Sequence, residues 1–144
     1  MVPINVTHTA IVTKSIHSLL LDPSSNYSKS ANSGVLPLAK TPLRHTLSTL
    51  ISFFAATYEA VFGFVDGPPL HDPLAIAMVA YPSLFKCKRY RVDVECQSAL
   101  TSGETVVDIW NYRKCDDSWG KEGRNCLVAE SLDVCDVIFL LHDN

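Results

Sequence analysis

The chain has 144 residues, 47% of them hydrophobic and 19% charged, with a formal net charge of −3. That balance belongs to a well-packed globular protein and excludes the low-hydrophobicity, high-charge pattern of disorder, while the length suits a single domain. A slightly acidic chain whose longest basic cluster is Lys86 to Arg91 offers no surface for tracking phosphates, so DNA and RNA are not expected partners.

The opening residues Met1 to His8 lack the basic start and apolar stretch of a secretory leader. Residues Ile4 to Thr13 are rich in Val, Ile and Thr and predict a strand. Asp22 to Gly34 is dense in Ser, Asn and Pro without periodicity and predicts a surface loop. Asn5-Val-Thr7 and Asn26-Tyr-Ser28 match the glycosylation pattern, by chance in a protein that stays out of the secretory route.

Leu43, Leu47, Leu50, Ile51, Phe54, Tyr58, Val61 and Phe62 recur at three- and four-residue steps, so an amphipathic helix is expected over Leu43 to Phe62. Pro42 and Gly63 punctuate it. After the turn-rich segment Asp66-Gly-Pro-Pro-Leu70, Asp72 can cap a second helix whose first position is Pro73. Beyond Pro82 the alternation of Tyr90, Val92 and Val94 with charged residues predicts a strand, joined through Ser102-Gly103 to another over Thr105 to Trp110. Asp116 to Arg124 reads as a polar loop, Cys126 to Glu130 as a further strand and Val134 to Leu141 as a short terminal helix.

The five cysteines Cys87, Cys96, Cys115, Cys126 and Cys135 are odd in number and contain no C-x-x-C pair, which points to reduced thiols in a cytoplasmic protein. No apolar run is long enough to span a bilayer. The mixture of elements indicates an α/β fold, with few strands for a free-standing sheet.

The candidate chemistry sits at Gly67-Pro-Pro-Leu-His71-Asp72-Pro73-Leu-Ala-Ile-Ala77. Read from the residues alone, Asp72 is a helix cap, His71 a solvent-facing loop residue and Tyr58 a core aromatic. The segment is similar to the P-L/V-H-D-P-x-A-V-A block of the inosine-uridine-preferring nucleoside hydrolase family. Val2-Pro-Ile-Asn-Val-Thr-His8, Phe53-Phe-x-x-x-Tyr58, Pro82-Ser-Leu-Phe85, Val92-Asp-Val-Glu95 and Leu100-Thr-Ser-Gly-x-Thr-Val-Val-Asp108 follow in the family's order. The wording is closest to the fungal uridine-hydrolysing members.

The resemblance implies the C-terminal portion of the family's open α/β sheet fold over residues 1–144, with an added β-hairpin. It implies hydrolysis of the N-glycosidic bond of uridine or inosine to ribose and free base. Asp72 would then be a calcium ligand, His71 the proton donor to the leaving base and part of the substrate site, and Tyr58 a wall of the base pocket. His8, His17, His45 and His142 show no partner spacing and are taken as structural, and Asp116-Asp117 as a solvated pair. The family's D-x-D-x-G-x-D-D block, which supplies most calcium ligands and the general base, has no counterpart in these residues. Calcium takes roughly six to eight oxygens, which one carboxylate does not provide. The alternative reading is therefore a catalytically dead fragment or interaction module that docks on a full-length paralogue through an exposed strand edge, or a homo-oligomer.

Overall fold

The computed structural model describes residues 1–24 and 36–134. Its helices are α1 (Ile4–Thr7), α2 (Lys14–Leu21), α3 (Pro42–Phe62) and α4 (Asp72–Ala80), with a 3₁₀ turn at Pro82–Leu84. Its strands are β1 (Phe85–Tyr90), β2 (Val92–Val94), β3 (Thr105–Val107) and β4 (Cys126–Leu132). Most of the predicted loop at 22–34 and of the predicted helix over Val134 to Leu141 lies outside the described residues, as do Cys135 and His142.

The chain opens with a helical turn in place of the expected strand over Ile4 to Thr13. The Pro3 carbonyl accepts from the Val6 and Thr7 amides at 3.0 and 3.1 Å, and the hydroxyls of Thr7 and Thr9 donate back to the Ile4 and Val6 carbonyls. Threonine hydroxyls that satisfy local carbonyls give the backbone an alternative to a ladder, which here overrides β propensity. Only the stretch around Ile11 keeps an extended pairing. The Val12 amide donates to the Pro68 carbonyl at 2.9 Å and the Leu70 amide to the Ala10 carbonyl at 3.0 Å. Gly67 makes this approach possible: it sits at φ +135, and a Cβ there would lie 2.9 Å from the Val12 carbonyl carbon and closer still to its oxygen.

Helix α3 forms as its punctuation predicts. The Thr41 hydroxyl accepts from the Arg44 amide at 3.2 Å, Pro42 occupies the first turn, and Gly63 ends the helix in the left-handed conformation at φ 75 with its amide on the Glu59 carbonyl. Its apolar stripe, however, is largely uncovered: Leu43, Leu50, Phe53, Phe54, Val61 and Phe62 are all exposed, Phe53 by 67%. Its packing against α2 is polar, through a buried His17 Nε2 to Ser48 Oγ hydrogen bond of 2.7 Å and an Arg44 guanidinium donating to the Leu20 carbonyl at 2.6 Å.

The core lies elsewhere. Val6, Ala10, Leu74, Leu84, Phe85 and Ala129 form one buried cluster that ties α1 and α4 to β1 and β4. β1 and β4 pair antiparallel with a register shift between Lys86 and Cys87, and β2 pairs antiparallel with β3 as the added hairpin.

The predicted strand around Tyr90 to Val94 is in fact two, interrupted at Arg91. Asn125 makes the change of sheet possible, since its side-chain amide pairs with the Val92 amide and carbonyl at 2.8 and 3.0 Å as a strand neighbour would. The partner strand stops at Val107, short of Trp110, because the Asp108 carboxylate accepts from the Tyr112 and Arg113 amides and turns the chain. β4 runs two residues beyond the expected Glu130. Among the described residues no helix is long and apolar enough to cross a membrane, and four cysteines are free thiols.

Candidate active site

Three segments converge on His71. The core cluster fixes Leu70 and Leu74 on either side of it, Leu74 being only 1% exposed. α1 presents Thr7 and His8 from one side, and the last turns of α3 present Tyr58 from the other.

The His71 ring joins them through both nitrogens. Nδ1 lies 2.7 Å from Thr7 Oγ1 and Nε2 lies 2.8 Å from the Tyr58 hydroxyl. The ring is tilted against Tyr58 at 5.9 Å and against His8 at 5.4 Å between centroids. Phe64, carried past the Gly63 turn, meets both His8 and Tyr58 edge-on at 5.1 and 5.7 Å. A half-buried imidazole hydrogen-bonded at both nitrogens and walled by aromatic rings is oriented, desolvated in part and able to move a proton.

His71 and not Asp72 occupies the N-cap position of α4. Its carbonyl accepts from the Leu74 and Ala75 amides, and its ring makes no capping bond. Asp72 is therefore the first residue of the helix, one position later than a cap, and it is exposed. The structure thus brings together Tyr58 and His71 from the candidate set, while Asp72 takes no part in their hydrogen bonds. Among the described residues no three His, Cys, Asp or Glu side chains gather as a metal cage.

A cavity of about 270 Å³ adjoins this cluster, lined by Val12, His17, Ile51, Ala55, Glu59 and Phe64 among others. Phe64 is its link to the His71 group. Burial lowers the His17 pKa from its ordinary value, against the opposing hydrogen bond to Ser48. Asp116 and Asp117 are surface groups as expected, the first accepting from the Ser118 amide and the second paired with Arg124 at 2.6 Å.

Sequence reasoning missed Thr7, His8 and Phe64. His8, expected to be structural, is a ring neighbour of His71. The block Val2 to His8 carries part of the family resemblance, but a strand there puts Thr7 and His8 on opposite faces.

The chain matches the family described as inosine-uridine preferring nucleoside hydrolase over residues 1–138. It is 40% identical over 114 residues to a protein of Dictyostelium discoideum named "Probable ribonucleoside hydrolase", covering 79% of this chain and 30% of that one. It is 32% identical over 117 residues to the uridine nucleosidase of Saccharomyces cerevisiae, covering 75% and 30%. In three dimensions it resembles the purine-preferring ribonucleoside hydrolase from Gardnerella vaginalis with a TM-score of 0.70 at 20% identity, over 99% of this chain and 37% of that one. That last likeness carries the α/β fold alone. The chain spans about 30% of the length of the curated relatives it matches. A match running through nearly every residue from Met1 onward, on a fold shared with solved nucleoside hydrolases, places this chain in the inosine-uridine preferring nucleoside hydrolase family.

Proposed function

We propose that the chain is the C-terminal part of a hydrolase that cleaves the N-glycosidic bond of ribonucleosides, uridine and inosine foremost, to ribose and free base in the cytoplasm. The observation that supports it best is the His71 imidazole held between Thr7 and Tyr58 at 2.7 and 2.8 Å on the segment where the family resemblance is densest. Breaking this bond builds positive charge on the sugar and negative charge on the departing base. A histidine at the leaving-group side supplies the proton, and His71 has that role here, with Tyr58 lining the base pocket. Uridine as substrate is suggested by the name of the yeast relative.

Asp72 would offer one carboxylate to a calcium ion, whose chemistry there would be to anchor the ribose. The described residues by themselves do not fit such an ion, since they gather no group of three potential ligands and calcium takes roughly six to eight oxygens. The remaining oxygens would have to come from elsewhere in a complete site.

The test joins this chain to the N-terminal two thirds of a longer family member and assays uridine and inosine. His71→Ala is expected to slow cleavage by about a hundred- to ten-thousand-fold, the usual worth of one general acid. Asp72→Ala should weaken calcium and ribose binding. Unchanged turnover in His71→Ala would remove the residue from its role.

A second reading is favoured by the uncovered apolar stripe of α3. An exposed apolar face of this size marks an interaction surface, and its occupant would be a full-length paralogue or a second copy of the chain. Phe53→Glu, at a position that makes no core contact, should then abolish association in sedimentation experiments and leave the fold intact. Association undiminished by that change would discard this reading.

A further inference from the structure

We infer that Thr7 is a positioning residue that fixes the tautomer of His71, holding the ring proton on Nδ1 and leaving Nε2 bare toward Tyr58. The inference deepens the proposed role of His71 and rests on that reading for its catalytic meaning, though not for its test.

Thr7 Oγ1 lies 3.1 Å from the Ile4 carbonyl oxygen and 2.7 Å from His71 Nδ1. A carbonyl cannot donate, so the single hydroxyl hydrogen of Thr7 is the one that makes the Ile4 bond. The 2.7 Å contact then needs its hydrogen from Nδ1–H. A neutral imidazole carries one N–H, so Nε2 has a free lone pair and the Tyr58 hydroxyl donates to it at 2.8 Å.

This arrangement satisfies all three contacts at once. The opposite tautomer would spend the Thr7 hydrogen on Nδ1 and leave the 3.1 Å approach to Ile4 without one. Thr7 is only 3% exposed and belongs to the helical turn that the Pro3 carbonyl closes, so water does not compete for it and its position is set by the backbone. A buried hydroxyl is obliged to find partners, and this one has two.

The experiment is long-range ¹⁵N–¹H NMR of the ring nitrogens of His71 in the 144-residue chain, above the imidazole titration range and assigned with His71→Gln. Free histidine side chains favour the Nε2–H form, so a dominant Nδ1–H form in the wild type is the expected and informative result. Thr7→Val, nearly the same shape without the hydroxyl, should lose that preference, and Thr7→Ser should restore it. A wild-type ring protonated mainly on Nε2, a Thr7→Val ring still protonated on Nδ1, or a Thr7→Ser ring that behaves like Thr7→Val would each overturn the inference. The readout needs no turnover, so a correct tautomer together with a fused enzyme that His71→Ala leaves at full turnover would count against the functional reading alone.

Discussion

Replacing Gly67 with alanine should unfold the approach that delivers His71 to its partners, and the magnitude can be built from the structure. At φ +135 an L side chain is strained whatever the space, and such a residue costs about 1–3 kcal/mol. The added Cβ would also press on the Val12 carbonyl, so the 66–70 segment must withdraw from residues 10–12. That withdrawal removes the Val12 to Pro68 and Leu70 to Ala10 hydrogen bonds, worth roughly 0.5–1.5 kcal/mol each. The total is about 2–6 kcal/mol, a large share of the roughly 5–15 kcal/mol that holds a typical domain together.

Gly63→Ala is the internal control. Gly63 is also left-handed, at φ 75, but a Cβ there meets nothing within 4 Å, so only the backbone term of about 1–2 kcal/mol applies. With a urea slope of about 2 kcal/mol per M, Gly67→Ala should lower the unfolding midpoint by roughly 1–3 M and Gly63→Ala by less than about 1 M. Urea unfolding followed by circular dichroism on the two variants decides the matter. A Gly67→Ala midpoint equal to or above that of Gly63→Ala would show that the contact between the 66–70 segment and residues 10–12 does not hold the site in place.

Two further outcomes are expected. His17 has a folded pKa below its ordinary value because burial disfavours its charged form. The unfolded chain therefore binds the extra proton first, and stability should fall as pH drops through the ordinary histidine range of about 6.5 and level off below the folded pKa. Melting temperatures from pH 7.5 to 5.5 should decline less in His17→Gln than in wild type, and an identical decline would place the titrating group elsewhere. Calcium titrated calorimetrically into the 144-residue chain should show no tight binding, since the described residues gather no ligand cluster. Micromolar affinity would mean that Asp72 has oxygen partners not accounted for.

Local signals in the sequence determined much of this protein. Thr41, Pro42 and Gly63 set the ends of α3 because a cap hydroxyl, a missing amide and a left-handed turn act within a few residues of themselves. The hairpin strands Val92–Val94 and Thr105–Val107 were legible for the same reason, as alternation around a turn. Membership of the family was legible too, through the ordered blocks from Val2 to Asp108.

What the tertiary structure alone decided depends on groups far apart in the chain. The Val/Ile/Thr-rich opening becomes a helical turn because the Pro3 carbonyl accepts from its amides, two threonine hydroxyls satisfy its carbonyls and the core takes up Val6 and Ala10. β1 and the break at Arg91 rest on β4 and on Asn125, which lies 33 residues beyond Val92. The Thr7, His71 and Tyr58 trio spans separations of 64 and 13 residues. No spacing rule relates such positions, because proximity between them is created only when the core formed by α1, α4, β1 and β4 closes and brings their side chains within hydrogen-bond reach.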